Sequence, residues 1–80
     1  MAEVTVRLNG SLSSYANKKN ALPVSFQGER VKLSKILSQM ALHIPEKAVA
    51  FLAINGVKAA EGSWVKDGDV IDIFPVVAGG

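Results

Sequence analysis

Few positions in this chain could do chemistry. Cysteine is absent, which excludes disulfides, a thiolate nucleophile, a thiolate-held cluster and a zinc ribbon. His43 is the single histidine. It falls at a predicted helix end, where a cation complements the dipole, and no Ser–His–Asp set can be assembled around it. Asp67 and Asp69 flank Gly68, and turn chemistry accounts for them. What remains is the closing stretch, Phe74-Pro75-Val76-Val77-Ala78-Gly79-Gly80. At an average glycine usage of about 7%, only about 0.5% of chains end in two glycines by chance. Fraying is the ordinary reading of such an end. The sharper reading is that the Gly80 carboxylate is itself the reactive group.

A carboxylate at neutral pH is a poor acylating agent. A partner must activate it, most simply as an acyl-adenylate made from ATP, and the segment carrying it must enter that partner's active site. Glycine suits both demands, because it lacks a Cβ, tolerates otherwise forbidden φ/ψ and lets another backbone approach closely. Pro75 sends the segment off in an extended direction. Six extended residues, Pro75 to Gly80, reach about 20 Å at ~3.3–3.6 Å each. Val76, Val77, Ala78 and Gly79 are then threading residues, and no side chain need be catalytic. The chain is expected to act as a carrier or co-substrate rather than an enzyme, with no metal or cofactor of its own.

Such an arm needs a body to hold it. From Glu3 to Leu8 the residues alternate, Val4, Val6 and Leu8 against Thr5 and Arg7, a half-buried strand. Asn9-Gly10-Ser11 breaks it with turn chemistry. Leu12 to Asn20 reads as a loop or short helical turn anchored by Leu12 and Tyr15. Leu22, Val24 and Phe26 alternate again, and Pro23 implies an edge or a strand start; Gln27-Gly28-Glu29 closes the segment. Then the period changes. Leu33, Ile36, Leu37 and Met40, extended by Ala41 and Ile44, form one stripe of an amphipathic helix that Pro45 ends near His43. Val49 to Ile54 reads as a central strand, Asn55-Gly56 as a tight turn and Val57 to Ala60 as a short strand. Trp64 and Val65 lead into the turn Lys66-Asp67-Gly68-Asp69, and Val70 to Phe74 forms the last strand. One helix can cover a sheet only if that sheet curves around it, which makes this an α+β two-layer domain.

Eighty residues make one domain, able to bury only about 60% of the surface its unfolded chain exposes. With 49% hydrophobic and 20% charged residues the chain has the means to pack a core. No apolar run approaches the roughly 20 residues that span a bilayer. The start lacks the basic-then-apolar order of a secretory signal, so a cytoplasmic location is expected, with no membrane partner. The formal net charge of +2 shows no clustering beyond Lys18-Lys19. Neither a basic stripe nor a set of stacking aromatics is visible, so no nucleic-acid partner is expected.

The element order resembles the β-grasp fold of ubiquitin, a mixed sheet of four to five strands on one main helix, with residues 1–75 as the domain and 76–80 as a flexible tail. In that fold the last strand lies centrally beside the first and runs out to the C-terminus. Ile54-Asn55-Gly56, Lys66-Asp67-Gly68-Asp69 and the closing Phe74 to Gly80 resemble the hallmarks of the ubiquitin-like sulfur carriers. The resemblance is closest to the small subunit of molybdopterin synthase (MoaD-like), whose chains close with a similar Phe-Pro-Pro-Val-Ala-Gly-Gly; Val76 stands here for the second proline. The related thiamine carriers (ThiS-like) usually have glycine before Gly-Gly, where this chain has Ala78. The resemblance implies an E1-like adenylyltransferase that adenylates Gly80, a persulfide sulfur donor, and a Gly80 thiocarboxylate. It further implies delivery of that sulfur to the large subunit of molybdopterin synthase or another acceptor enzyme. A protein modifier joined to lysines through Gly80 would use the same activation, and a plain interaction module would use none of it.

Strand parity adds a docking face. If Leu52, Ile54, Ile71 and Ile73 face the helix, then Phe51, Ala53 and Phe74 face outward. In a β-grasp sheet these two strands are neighbours, so Phe51 and Phe74 adjoin at the root of the arm, with Pro75 beside them. A contiguous exposed apolar patch marks a partner site.

Overall fold

Burial follows the alternation. In the computed structural model, which describes residues 2–16, 20–40 and 44–76, strand β1 (Ala2–Leu8) buries Val4, Val6 and Leu8 and exposes Glu3 and Arg7. Strand β2 (Ala21–Phe26) buries Val24 and Phe26 and pairs antiparallel with β1. It is an edge strand, where Pro23, opposite Thr5, forfeits a donor that has no neighbour to serve. Strands β4 (Val49–Ile54) and β5 (Val57–Ala59) form a hairpin. Strand β7 (Val70–Pro75) lies between β1 and β4, parallel to the first and antiparallel to the second. The five-stranded order is β2-β1-β7-β4-β5.

One face of this sheet packs on helix α1 (Leu33–Gln39), where Leu33 and Ile36 are fully buried and Leu37 and Met40 are half-buried. The helix is shorter than its apolar stripe suggested. It stops at Gln39 with Met40 as its C-cap, while Ile44 reaches the core from outside the helix. Ala41, Leu42 and His43 lie outside the described residues. Seven residues are too few for a helix to hold by propensity alone, so tertiary packing must fix it. Its N-cap, Lys32, makes no side-chain cap bond. Instead the Leu33 and Ser34 N–H groups donate to the carbonyls of Ser63 and Glu61, each at 2.9 Å, which satisfies two otherwise orphaned donors.

Two further corrections concern short segments. Residues on either side of that helix–loop junction form β3 (Arg30–Lys32) and β6 (Trp64–Lys66), a separate two-stranded antiparallel sheet. Its inner side chain Val65 is fully buried, and its partner Val31 is half-buried against the same core. After β1 comes a 3₁₀ helix (Gly10–Ala16) in which Leu12 is buried as expected. Tyr15 is not an anchor: it is 42% exposed, and Ala16 takes the inner position. A strict three-residue repeat would set Tyr15 over Leu12; the segment instead buries positions four apart, Leu12 and the small Ala16, and leaves the larger ring at the surface. A second 3₁₀ helix (Glu46–Ala48) leads into β4.

Candidate functional site

The site is the C-terminal end of β7. Antiparallel pairing with β4 continues to Val49↔Pro75, and the Val76 N–H then donates to the Ala48 carbonyl at 3.0 Å. Val76 thus keeps its main chain on the domain while its side chain is 53% exposed. Val77, Ala78, Gly79 and Gly80, expected to thread and to react, lie outside the described residues.

Across the strand from β4, the turn after β1 holds the same root. The Asn9 main-chain N–H and its side-chain amide both donate to the Ile73 carbonyl, each at 3.1 Å. Gly10 has φ +57°, and a Cβ built there would stand 3.1 Å from Pro75 Cγ. Glycine is therefore required twice, by conformation and by contact with the first residue of the arm. The sequence marked Asn9-Gly10 as a turn. Its partner, more than 60 residues onward, became visible only with the fold.

Next to the root lies an ion pair. Arg7 and Asp72 are opposite one another on β1 and β7, and the guanidinium grips the carboxylate in bidentate fashion, Nε–Oδ1 2.7 Å and Nη2–Oδ2 2.8 Å. Asn9 adds a longer bond to Oδ1 at 3.3 Å. The Asp72 side chain is 6% exposed and that of Arg7 55%. Hydrogen bonding from Arg7 holds the Asp72 carboxyl below its ordinary range against the opposing effect of burial, with smaller help from Asn9 and the guanidinium charge. The same bond, with the carboxylate charge, raises Arg7. A depressed carboxyl contributes stability that is complete above its unfolded value, near 4, and is lost as pH falls through the folded value. The melting-temperature gap between wild type and Asp72→Asn should therefore be constant from neutral pH to about pH 4 and shrink below it. A gap unchanged down to full protonation would remove the charge from the explanation.

Phe51 and Phe74 meet on the face turned away from α1. They are direct cross-strand partners, with ring centroids 4.5 Å apart and planes at 18°. Phe51 is 40% exposed and Phe74 half-buried, and Lys58 Nζ lies 5.8 Å from the Phe51 ring centre. A bulge between Val49 and Phe51 makes this possible. Two residues apart on a regular strand, those side chains would share a face; the extra residue turns Val49 toward the core and Phe51 outward. Ala53, expected to be exposed beside Phe51, is buried at 4%. It sits in the row Arg7–Asp72–Ala53–Lys58, where longer neighbours cover its methyl group.

The two remaining hallmark turns lie at the other end of β7. Asn55 (φ 51°) and Gly56 (φ 83°) make the two-residue hairpin turn that the strand twist favours. The Asn55 amide donates to Asp69 Oδ1 at 2.9 Å, and Asn55 Oδ1 accepts the Val70 N–H at 2.9 Å. Asp69 Oδ2 accepts the Lys66 N–H at 2.9 Å, and Asp67 Oδ1 accepts the Glu3 N–H at 2.8 Å. Both motifs thus join into one bonded junction that starts β7 in register with β1 and β4. Among the described residues, no three His, Asp or Glu side chains cluster as metal ligands, and no helix is long and apolar enough to cross a membrane.

Comparisons agree with this architecture. The model of the ThiS family matches residues 6–80. No curated protein matches the sequence. Among solved structures, SAMP1 from Haloferax volcanii aligns with a TM-score of 0.80 at 19% identity, over 99% of this chain and 100% of its own, a likeness of fold. A chain of the BexX/CysO complex of Amycolatopsis orientalis aligns with a TM-score of 0.64 at 25% identity, over 96% of this chain and 99% of its own. The fold is a β-grasp. With its family match reaching from β1 to Gly80, the chain belongs to the ThiS family of ubiquitin-like sulfur carriers.

Proposed function

We propose that Gly80 carries sulfur as a C-terminal thiocarboxylate for molybdopterin synthesis. In this reading the Gly80 carboxylate attacks the α-phosphorus of ATP on an E1-like adenylyltransferase, and pyrophosphate leaves. The terminal sulfur of a persulfide donor then attacks the acyl carbon and AMP leaves. A thiol reduces the resulting acyl disulfide, freeing the thiocarboxylate and forming a new disulfide on the donor side. The product enters the large subunit of molybdopterin synthase, where its sulfur passes to a pterin precursor. One observation carries the reading: the family match extends through Gly79 and Gly80. The molybdopterin branch is favoured by the closing Phe74-Pro75-Val76-Val77-Ala78-Gly79-Gly80, with alanine rather than glycine before the last pair.

Intact mass spectrometry of protein from its native cell tests the chemistry. The expected species has one oxygen replaced by sulfur, localised to Gly80. Protein that stays unmodified with ATP, the cognate activating enzyme and a persulfide donor supplied would sink the carrier reading. Ladders of conjugates on a blot, without the sulfur-bearing species, would move Gly80 to protein modification.

The stacked Phe51–Phe74 pair, with Pro75 beside it, is the proposed grip for the activating enzyme. Aromatic anchors of this kind dominate interface energetics. Phe74→Ala is expected to raise the Kd for that enzyme about tenfold or more, with the far-ultraviolet circular dichroism unchanged. Equal binding by wild type and variant in a titration would withdraw the patch from the interface.

A further inference from the structure

The small β3–β6 sheet presents an outer face with no role in the sulfur chemistry. Its register sets Arg30 opposite Lys66 and Lys32 opposite Trp64. All four side chains are exposed, while Val31 and Val65 point the other way, toward the core. Trp64 is 51% exposed, although its neighbour Val65 is fully buried. The Arg30 guanidinium stands 4.3 Å from the indole centre and Lys32 Nζ 5.6 Å from it. Among the described residues, the one ion pair is Arg7–Asp72, so none of these three cations has an acidic partner.

Two physical features make this face more than a solvated strand. Like charges directly opposite across a strand pair repel, and Arg30↔Lys66 is such a pair. An anion placed between them would relieve that repulsion. Stacking on the indole also pre-orients the Arg30 guanidinium, leaving its N–H edges free for bidentate bonds to a carboxylate. Spacing and extent select among anions. Arg30 and Lys32 are two residues apart on one strand, a rise of about 6.6 Å. Alternate side chains of an extended peptide repeat at the same distance. The positive face is one strand pair wide and three residues long, and exposed Glu29 and Asp67 close it at the Arg30–Lys66 end. A short acidic segment fits within those limits, whereas a nucleic acid would run its phosphates past them.

We infer that the Arg30–Lys32–Trp64–Lys66 face binds a partner protein through an extended segment with carboxylates at alternate positions. This surface lies across the core from Phe51 and Phe74, which occupy the outer face of the large sheet. One partner can therefore hold it while the arm and the aromatic pair engage another.

Trp64 is the single tryptophan and reports directly on the site. The full chain is titrated in low-salt buffer with a short peptide alternating glutamate and threonine, with its glutamine counterpart, and with single-stranded oligothymidine. The glutamate peptide should give a saturable change in Trp64 emission, and the glutamine peptide none. Arg30→Gln combined with Lys32→Gln should weaken binding about tenfold or more without changing the melting temperature. Lys66→Gln alone should weaken it by a smaller factor, and amide shifts should centre on β3 and β6. Equal response to the glutamine peptide, or binding indifferent to these substitutions, overturns the proposal. Tighter binding of oligothymidine would also overturn it, assigning the face to nucleic acid. None of these readouts involves Gly80, so the result stands apart from the sulfur chemistry.

Discussion

Deleting Gly80 is expected to leave a protein that melts with the wild type but gains no sulfur. The deletion takes nothing from β7, which ends at Pro75, and the last described backbone bond, from Val76, lies four residues before Gly80 in the chain. The new terminus, Gly79, still bears a carboxylate. It falls short by one extended residue, about 3.5 Å. Acyl transfer tolerates little misplacement: an error of about 1 Å can cost about a hundredfold in rate. Loss of adenylation and of the thiocarboxylate should therefore be complete within the sensitivity of intact mass analysis. A truncated chain that still accepts sulfur at normal rates would show that the activating enzyme does not read the position of the terminus, and Gly80 would lose its special role.

The largest effect on stability is expected from Asp69→Ala. Asp69 is buried at 6% and accepts from both the Asn55 amide and the Lys66 N–H, so the change leaves two donors without their acceptor. At roughly 1.5–3 kcal/mol for each bond to a charged group, partly offset by water reaching the turn, a loss of about 3 kcal/mol is expected. For a domain of this size that corresponds to a fall of roughly 10–20 °C in Tm. Asn55→Ala should lose less on its own. In the double variant the two losses should sum to less than their parts, because the residues share one bond. A Tm within about 2 °C of wild type for Asp69→Ala would mean that the Asn55–Asp69 junction contributes no stability, whatever its geometry.

Much of the body was legible from periodicity. Val4, Val6 and Leu8 announced a one-sided strand, Leu33, Ile36 and Leu37 a helix, and Pro23 an edge, because each pattern reports which face meets the core. The aromatic pair followed from parity together with the strand order of the resembling fold. What escaped was short or non-local. Three-residue strands such as Arg30–Lys32 and Trp64–Lys66 alternate too briefly to signal, so the stacked cations on Trp64 were read as scattered charges. The bulge before Phe51 breaks period two without any glycine to mark it. Arg7, Asn9 and Asp72 carry no local sign of one another, since the parallel pairing that unites them spans almost the whole chain. The end proposed to react was legible only as composition and resemblance. A main-chain carboxylate has no side chain to betray it.

The parallel pairing of β1 with β7 has a mechanical meaning. An enzyme that draws the arm inward applies its load at Val76, along the axis of β7. That strand is bonded on both sides, to β1 from Thr5 to Leu8 and to β4 from Val49 to Ile54. The ladder bonds run across the strand and not along it, so the load shears them together instead of opening them one at a time. Pulling an edge strand sideways would peel it bond by bond. Here tension is shared among two ladders, the Asn9 clamp on Ile73 and the contact of Gly10 with Pro75. On the proposed function, a partner that grips, threads and releases the arm would leave the domain behind it folded.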